Sequence, residues 1–149
     1  MLELIGQQDP GNKHLVPYTW LTTGIAYNIK AVADRMPDAP VESLDIFFKP
    51  EIAAKFADCG IGIVDVPTEV IPITLNYLGL DPYSTDKSDL AKAQELLLAF
   101  RPHFRHMQSG QLISDMASGE LCLALMWSGD AGPGSTITWF LRPRCPIAG

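Results

Sequence analysis

The sequence predicts an α/β layer fold with a central mixed or parallel sheet flanked by helices. Three observations lead there. Leu121-Cys122-Leu123-Ala124-Leu125-Met126-Trp127 is an unbroken apolar run between Gly119-Glu120 and Ser128-Gly129, the pattern of a strand buried on both faces. Ile61-Gly62-Ile63-Val64 is a second short run rich in β-branched residues. Between these runs apolar residues recur at helical spacing, and Gly79 and Gly119 stand where helices would stop.

The remaining elements follow in order. Residues 1–13 end in Asp9-Pro10-Gly11-Asn12, a strong turn signal, and are expected to be the tail of something whose beginning is absent. His14-Leu15-Val16-Pro17-Tyr18 and Thr22-Thr23-Gly24-Ile25-Ala26-Tyr27-Asn28 read as two extended pieces, with Gly24 suited to close backbone approach. Residues 29–35 predict a short helix, ended in the region of Pro37 and Pro40. Ser43 is placed to cap a further helical turn, and residues 50–56 begin with proline at the first helical position and glutamate in the first turn. A helix is predicted over residues 67–78, with Pro72 as a kink in its first turns and Gly79 as its stop. Asp86 or Ser88 caps the next helix, whose apolar stripe is Leu90, Ala93, Leu96, Leu97 and Phe100 and whose end is Pro102. Residues 104–107 read as a short strand and 112–117 as a helix closing at Gly119. After Asp130 the pattern breaks into a Gly/Pro linker. Residues 136–141 read as one more strand, and the chain is expected to be cut at its C-terminus.

At 149 residues the chain fits one domain, and 47% hydrophobic with 19% charged residues is a globular composition. A spread net charge of −6 argues against a nucleic-acid partner and suits a small cationic ligand. No apolar run approaches the roughly 18 residues of a membrane span, so no direct membrane insertion is expected. A basic region followed by an apolar stretch is missing at the N-terminus, so any secretory signal is expected to have been removed or to lie outside this chain.

Candidate chemistry gathers at strand ends. Trp127 and Asp130 follow the most apolar strand, and in open α/β sheets such ends line the ligand crevice. An indole face and a carboxylate three residues apart suit an organic cation. The competing reading is a core tryptophan and an aspartate capping the next helix. Asp65 and Glu69 follow the Ile61 strand; they suit acid–base work, or Glu69 is simply a first-turn glutamate favoured by the helix dipole. His103 and His106 are three apart, which on a strand puts them on opposite faces, so no metal site is expected. The Gly129 to Ser135 stretch lacks the Gly-Lys-Ser/Thr ending of a phosphate loop, and neither a G-x-S-x-G elbow nor a nucleophilic triad pattern occurs. Cys59, Cys122 and Cys145 are an odd set. If their strands are neighbours, Cys59 and Cys122 come within bridging range; the alternative is two buried free thiols.

The segment Pro17-Tyr18-Thr19-Trp20-Leu21-Thr22-Thr23-Gly24-Ile25-Ala26-Tyr27-Asn28 resembles the hinge-crossing segment of bacterial periplasmic polyamine-binding proteins, the putrescine and spermidine receptors of ABC importers. Similar in the same order are Asp65-Val66-Pro67-Thr68-Glu69-Val70, Leu75-Asn76-Tyr77-Leu78-Gly79, Arg101-Pro102 followed by Ser109 and Gln111, and Trp127-Ser128-Gly129-Asp130. The resemblance runs from about Ile5 to Asp130 and is closest to the putrescine-binding branch. It implies a single lobe of the type II periplasmic-binding-protein fold. Residues 1–19 would be a remnant of the first lobe and hinge entry, 20–135 the second lobe, and 136–149 a returning hinge strand and irregular tail. It further implies that Trp127 stacks on the polyamine, Asp130 pairs with an amine, Glu69 offers a second carboxylate and Ser109 adds a polar contact. A Cys59–Cys122 disulfide, a periplasmic home, a membrane permease as partner, and neither cofactor nor catalysis are implied with it.

Two departures are visible: Leu44 stands where the family often has tryptophan, and the segment after Asp130 lacks the helix the family continues with. The first-lobe residues that complete the family's site are not in this sequence, so a half-site is expected, with the ligand left in water where an ion pair is worth at most about 1 kcal/mol. The alternatives are a lobe that binds no ligand by itself, and a small α/β enzyme using Asp65 or Glu69 as a base.

Overall fold

Five strands form one mixed sheet in the computed structural model of the chain: β1 (Thr23–Asn28), β2 (Ile61–Ile63), β3 (His106–Met107), β4 (Leu123–Trp127) and β5 (Ile137–Phe140), in the order β3-β2-β4-β1-β5. The structure describes residues 6, 9–16, 18–19, 21–130 and 137–140. β2 runs parallel to both β3 and β4, with Gly62 opposite His106 and Ala124. β1 is antiparallel to β4 and β5; Thr23 faces Trp127, and Ile25 faces Leu125 on one side and Phe140 on the other.

β4 sits at the centre of the sheet, which is why its sequence is apolar without alternation: Leu123, Ala124, Leu125 and Met126 are all buried. The ladder begins two residues later than the apolar run. Leu121 and Cys122 are as buried as the strand, and the Cys122 N–H donates to the Gly60 carbonyl at 3.0 Å. The strand expected over 104–107 shortens to His106–Met107. A 3₁₀ turn at Arg101–His103 takes up the chain before it, and Phe104 turns into the core against Phe100, ring centroids 5.4 Å apart. The extended piece expected at 14–18 is not a strand in its described residues: the Asp9 carboxylate accepts the His14 and Leu15 N–H groups at 2.7 and 2.8 Å and prolongs the turn.

The helices follow their local signals. α1 (Ile29–Arg35) is capped by Asn28, whose side-chain oxygen accepts from the Ala31 N–H. Before α2 (Asp45–Phe48), Ser43 Oγ accepts the Asp45 N–H at 3.2 Å. α3 (Pro50–Ala53) tightens into a 3₁₀ turn, Ala54–Phe56, so the predicted helix over 50–56 is present in two forms. α4 (Pro67–Tyr77) carries Pro72 internally and ends in the left-handed glycine motif: Gly79 has φ +74°, its N–H reaches Asn76 O, and the Leu80 N–H reaches Leu75 O. Asp86, rather than Ser88, caps α5 (Lys87–Phe100) by accepting the Ser88 N–H at 2.7 Å. Of its stripe, Ala93 and Phe100 are buried and Leu96 and Leu97 packed on the core, while Leu90 is exposed. α6 (Ser109–Ser118) starts three residues before the predicted helix and closes at Gly119.

Phe47, Phe56, Phe100, Ile61, Leu112, Leu121 and Leu123 are fully buried between the sheet and its helices. Gly60 adopts φ +85°, and a Cβ there would lie 2.5 Å from the Glu120 carbonyl oxygen, so only glycine lets the two backbones meet. That approach decides between bridge and free thiols. Cys59 and Cys122 are joined in a disulfide, with Cα atoms 5.5 Å apart. Cys145 and the predicted linker at 131–135 lie outside the described residues, and the predicted strand over 136–141 is described at Ile137–Phe140.

Candidate ligand-binding site

β3, β2 and β4 are adjacent and mutually parallel, so their carboxyl ends share one edge of the sheet, together with the start of antiparallel β1. Every site residue expected from the sequence lies just past one of these ends: Glu69 after β2, Ser109 after β3, Trp127 and Asp130 at and after β4. The topology thus collects them at the position where open α/β sheets take ligands.

Glu69 sits in the first turn of α4, half-buried, and accepts the Trp127 indole N–H on both oxygens at 3.0 and 2.9 Å. The Thr23 hydroxyl donates to Glu69 Oε2 as well. Because Thr23 and Trp127 are register partners, their side chains share one face of the sheet and converge on the same carboxylate. The turn that follows Trp127, Ser128–Asp130, is tied to the start of β1: the Ser128 N–H donates to Thr22 O at 2.8 Å and the Thr22 N–H to Ser128 Oγ at 3.2 Å.

Asp130 differs from the other carboxylates. It is half-buried, makes no hydrogen bond or ion pair among the described residues, and burial pushes its carboxyl above the ordinary value of 3.8. Losing solvation without gaining a donor is unfavourable for a carboxylate, and an arriving cation would remove that penalty. A helix capped by Asp130 would begin at residue 131, outside the described residues.

Ser109 braces two strand ends. Its hydroxyl donates to Asp65 Oδ1, its N–H reaches the same oxygen at 3.3 Å, and Ser109 Oγ accepts the Asp65 N–H at 3.0 Å. The Ser109 hydroxyl and amide hold the Asp65 carboxyl below the usual carboxylate value. The hydroxyl proton is therefore committed, and one Oγ lone pair remains for an outside donor.

The histidine pair is divided between elements. His103 lies in the 3₁₀ turn and His106 in β3, where its Nε2 is 2.7 Å from Asp115 Oδ2. No group of three or more metal-ligating side chains occurs among the described residues. A cavity of about 920 Å3 lies away from the expected site residues, between Gly24 and Ile25 of β1, the segment from Ala39 to Leu44, and Ile73 and Tyr77 of α4, and it meets the site at Thr23.

No protein-family model matches the chain. Relatives are clear, however. It is 44% identical over 137 residues to the putrescine-binding periplasmic protein PotF of Escherichia coli, covering 91% of this chain and 37% of that protein. It is 45% identical over 124 residues to a putrescine/agmatine-binding protein of Pseudomonas aeruginosa, covering 83% and 34%. A spermidine/putrescine ABC transporter substrate-binding protein, PotD, of Streptococcus pneumoniae superposes with a TM-score of 0.71 at 26% identity, over 89% of this chain and 39% of that one. The chain is homologous to part of the polyamine-binding proteins.

Its fold is that of one lobe of a type II binding protein, and a putative spermidine/putrescine transporter of Listeria monocytogenes gives the same result with a TM-score of 0.72 at 26% identity, over 87% and 38% of the two chains. The chain spans little more than a third of the length of the polyamine-binding relatives it matches. Those relatives are named as binding proteins, and several as periplasmic. No helix among the described residues is long and apolar enough to cross a membrane.

Sequence reasoning missed Thr23 as a partner of Glu69 and Asp65 as the partner of Ser109. The paired threonines and the acidic residue after β2 were visible, but their meeting depends on strand register across separations of 46 and 44 residues.

Proposed function

We propose that this chain carries the second-lobe part of a polyamine-recognition site, serving solute uptake through an ABC transporter outside the cytoplasm. The observation that carries the reading is Asp130, a half-buried carboxylate with no partner among the described residues, following Trp127 at the carboxyl end of the central strand. Trp127 offers its ring to the alkyl chain and ammonium, Asp130 supplies the countercharge, and Ser109 lends a lone pair. Glu69 contributes at the site, in a role taken up below. Residues 20–135 act as the second lobe, 1–19 belong to the first lobe and hinge entry, and 136–149 to a returning hinge strand and tail. The names of the relatives, putrescine-binding and periplasmic, support the ligand class and the compartment. A membrane permease as partner follows from the same kinship.

The chain works by binding rather than catalysis. The carboxylates that an enzyme would use as a base are committed within the fold: Asp65 to Ser109, Glu69 to Trp127 and Thr23. Isothermal titration calorimetry with putrescine tests the reading. Binding weaker than micromolar, sensitive to salt and lost in Asp130→Asn, is expected of half a clamp. Micromolar or tighter affinity refutes the half-site argument, and no heat at millimolar putrescine favours a lobe without ligand binding of its own.

A further inference from the structure

We infer that Glu69 is a positioning residue for the Trp127 indole, not a second carboxylate for the ligand, so that this chain's share of the site reads a single ammonium group. The inference rests on the polyamine-binding reading and deepens it. A carboxylate offers about four lone-pair directions. On Glu69 three are taken: the indole N–H lies across both oxygens at 3.0 and 2.9 Å, and the Thr23 hydroxyl occupies Oε2 a second time. These donors come from register partners on β1 and β4, so Glu69 is held facing the sheet from α4 and its bonds fix the plane of the tryptophan ring. A ring presented in a fixed plane loses little freedom when an alkylammonium stacks on it.

Of the remaining carboxylates near these strand ends, Asp65 is exposed to water and bound by Ser109, so any pair it makes is screened. Asp130 alone is both partly desolvated and without a donor among the described residues. Among the described residues one carboxylate is left without a donor, and it recognises one ammonium. The preference for a diamine over a monoamine therefore does not arise among the described residues of this chain.

The experiment follows backbone and indole resonances of the chain while butylamine and putrescine are titrated separately, with Trp127→Phe assigning the Trp127 indole signal among three tryptophans. Both amines are expected to shift that signal with dissociation constants within about twofold, the statistical advantage of two equivalent ends. Putrescine binding tenfold or more tighter than butylamine overturns the inference while leaving the polyamine reading intact. If neither amine shifts the signal, the polyamine reading falls and takes the inference with it. A second arm needs no ligand. In free Thr23→Val the Trp127 indole proton is expected to move and exchange faster with solvent as Glu69 loses one of its two anchors; an unchanged indole signal overturns the positioning role. Glu69→Gln, which keeps an acceptor, should weaken amine binding less than threefold, against more than tenfold for Asp130→Asn; equal losses overturn the positioning role.

Discussion

Thr23 and Trp127 stand directly opposite each other across the β1–β4 ladder, and both hydrogen-bond to the carboxylate that α4 places above them. A strand at the start of the described fold, a helix from its middle and a strand near its end are thereby joined at one point. Trp127→Phe keeps most of the apolar area but leaves Glu69 without its indole donor. We expect a loss of about 1–2 kcal/mol, read as a lower urea midpoint with an unchanged slope.

The pH response of Asp130 has a definite sign. Burial raises its folded pKa above 3.8, so the ionised form is disfavoured in the folded state, and the resulting penalty is present at neutral pH and disappears as pH falls below that value. Asp130→Asn is therefore expected to be at least as stable as the parent at neutral pH, with the two urea midpoints converging in acid. Binding of an alkylammonium should weaken as pH falls through a midpoint above 3.8, with proton release measurable calorimetrically in that range.

Reduction of the Cys59–Cys122 bridge, which closes a sequence separation of 63, should lower stability by about 4 kcal/mol on chain-entropy grounds. Guanidinium titration with and without reductant, repeated on the Cys59→Ser, Cys122→Ser double variant, measures it. Coincident curves would contradict the prediction.

Gly60→Ala combines a left-handed backbone with a Cβ 2.5 Å from the Glu120 carbonyl. A cost of at least about 1–2 kcal/mol is expected from the conformation alone, visible as a lower thermal midpoint. Gly79→Ala has the same φ sign but nothing within 4 Å of the added carbon, and should cost less.

Tyr77 donates to Asp45 Oδ1 at 2.8 Å, and burial followed by that carboxylate pushes its hydroxyl from 10.0 to about 12. The folded state holds this proton more tightly than the unfolded chain, so stability is full below pH 10.0 and is lost as pH rises toward about 12. An ultraviolet titration should show one tyrosine ionising late, and Tyr77→Phe should remove that late step.

The central strands, the caps at Asn28 or Asp86 and the glycine stops at 79 and 119 were legible because each depends on residues within a few positions of one another. The placement of Trp127 and Asp130 at a strand end was legible for the same reason. The start of α6 was not, because Gly110 in its first turn disfavours helix locally, while the Asp65–Ser109 bonds anchor the turn from another strand. His106 was read only as one of a histidine pair on opposite strand faces, and its pairing with Asp115 appears only once α6 is folded against β3. The Thr23–Glu69–Trp127 contacts rest on a register between β1 and β4, which no local pattern encodes.

The disulfide lies at the opposite end of the sheet from the candidate site. Cys59 and Cys122 join the chain just before β2 and β4 begin, while Glu69 and Trp127 lie at the far ends of those strands. Slipping β2 past β4 by one residue would turn every side chain on it to the other face, and the bridge forbids that slip. The covalent tie thus works as the zero mark of a ruler: two short rigid strands measure out from it where a helix carboxylate and an indole must meet.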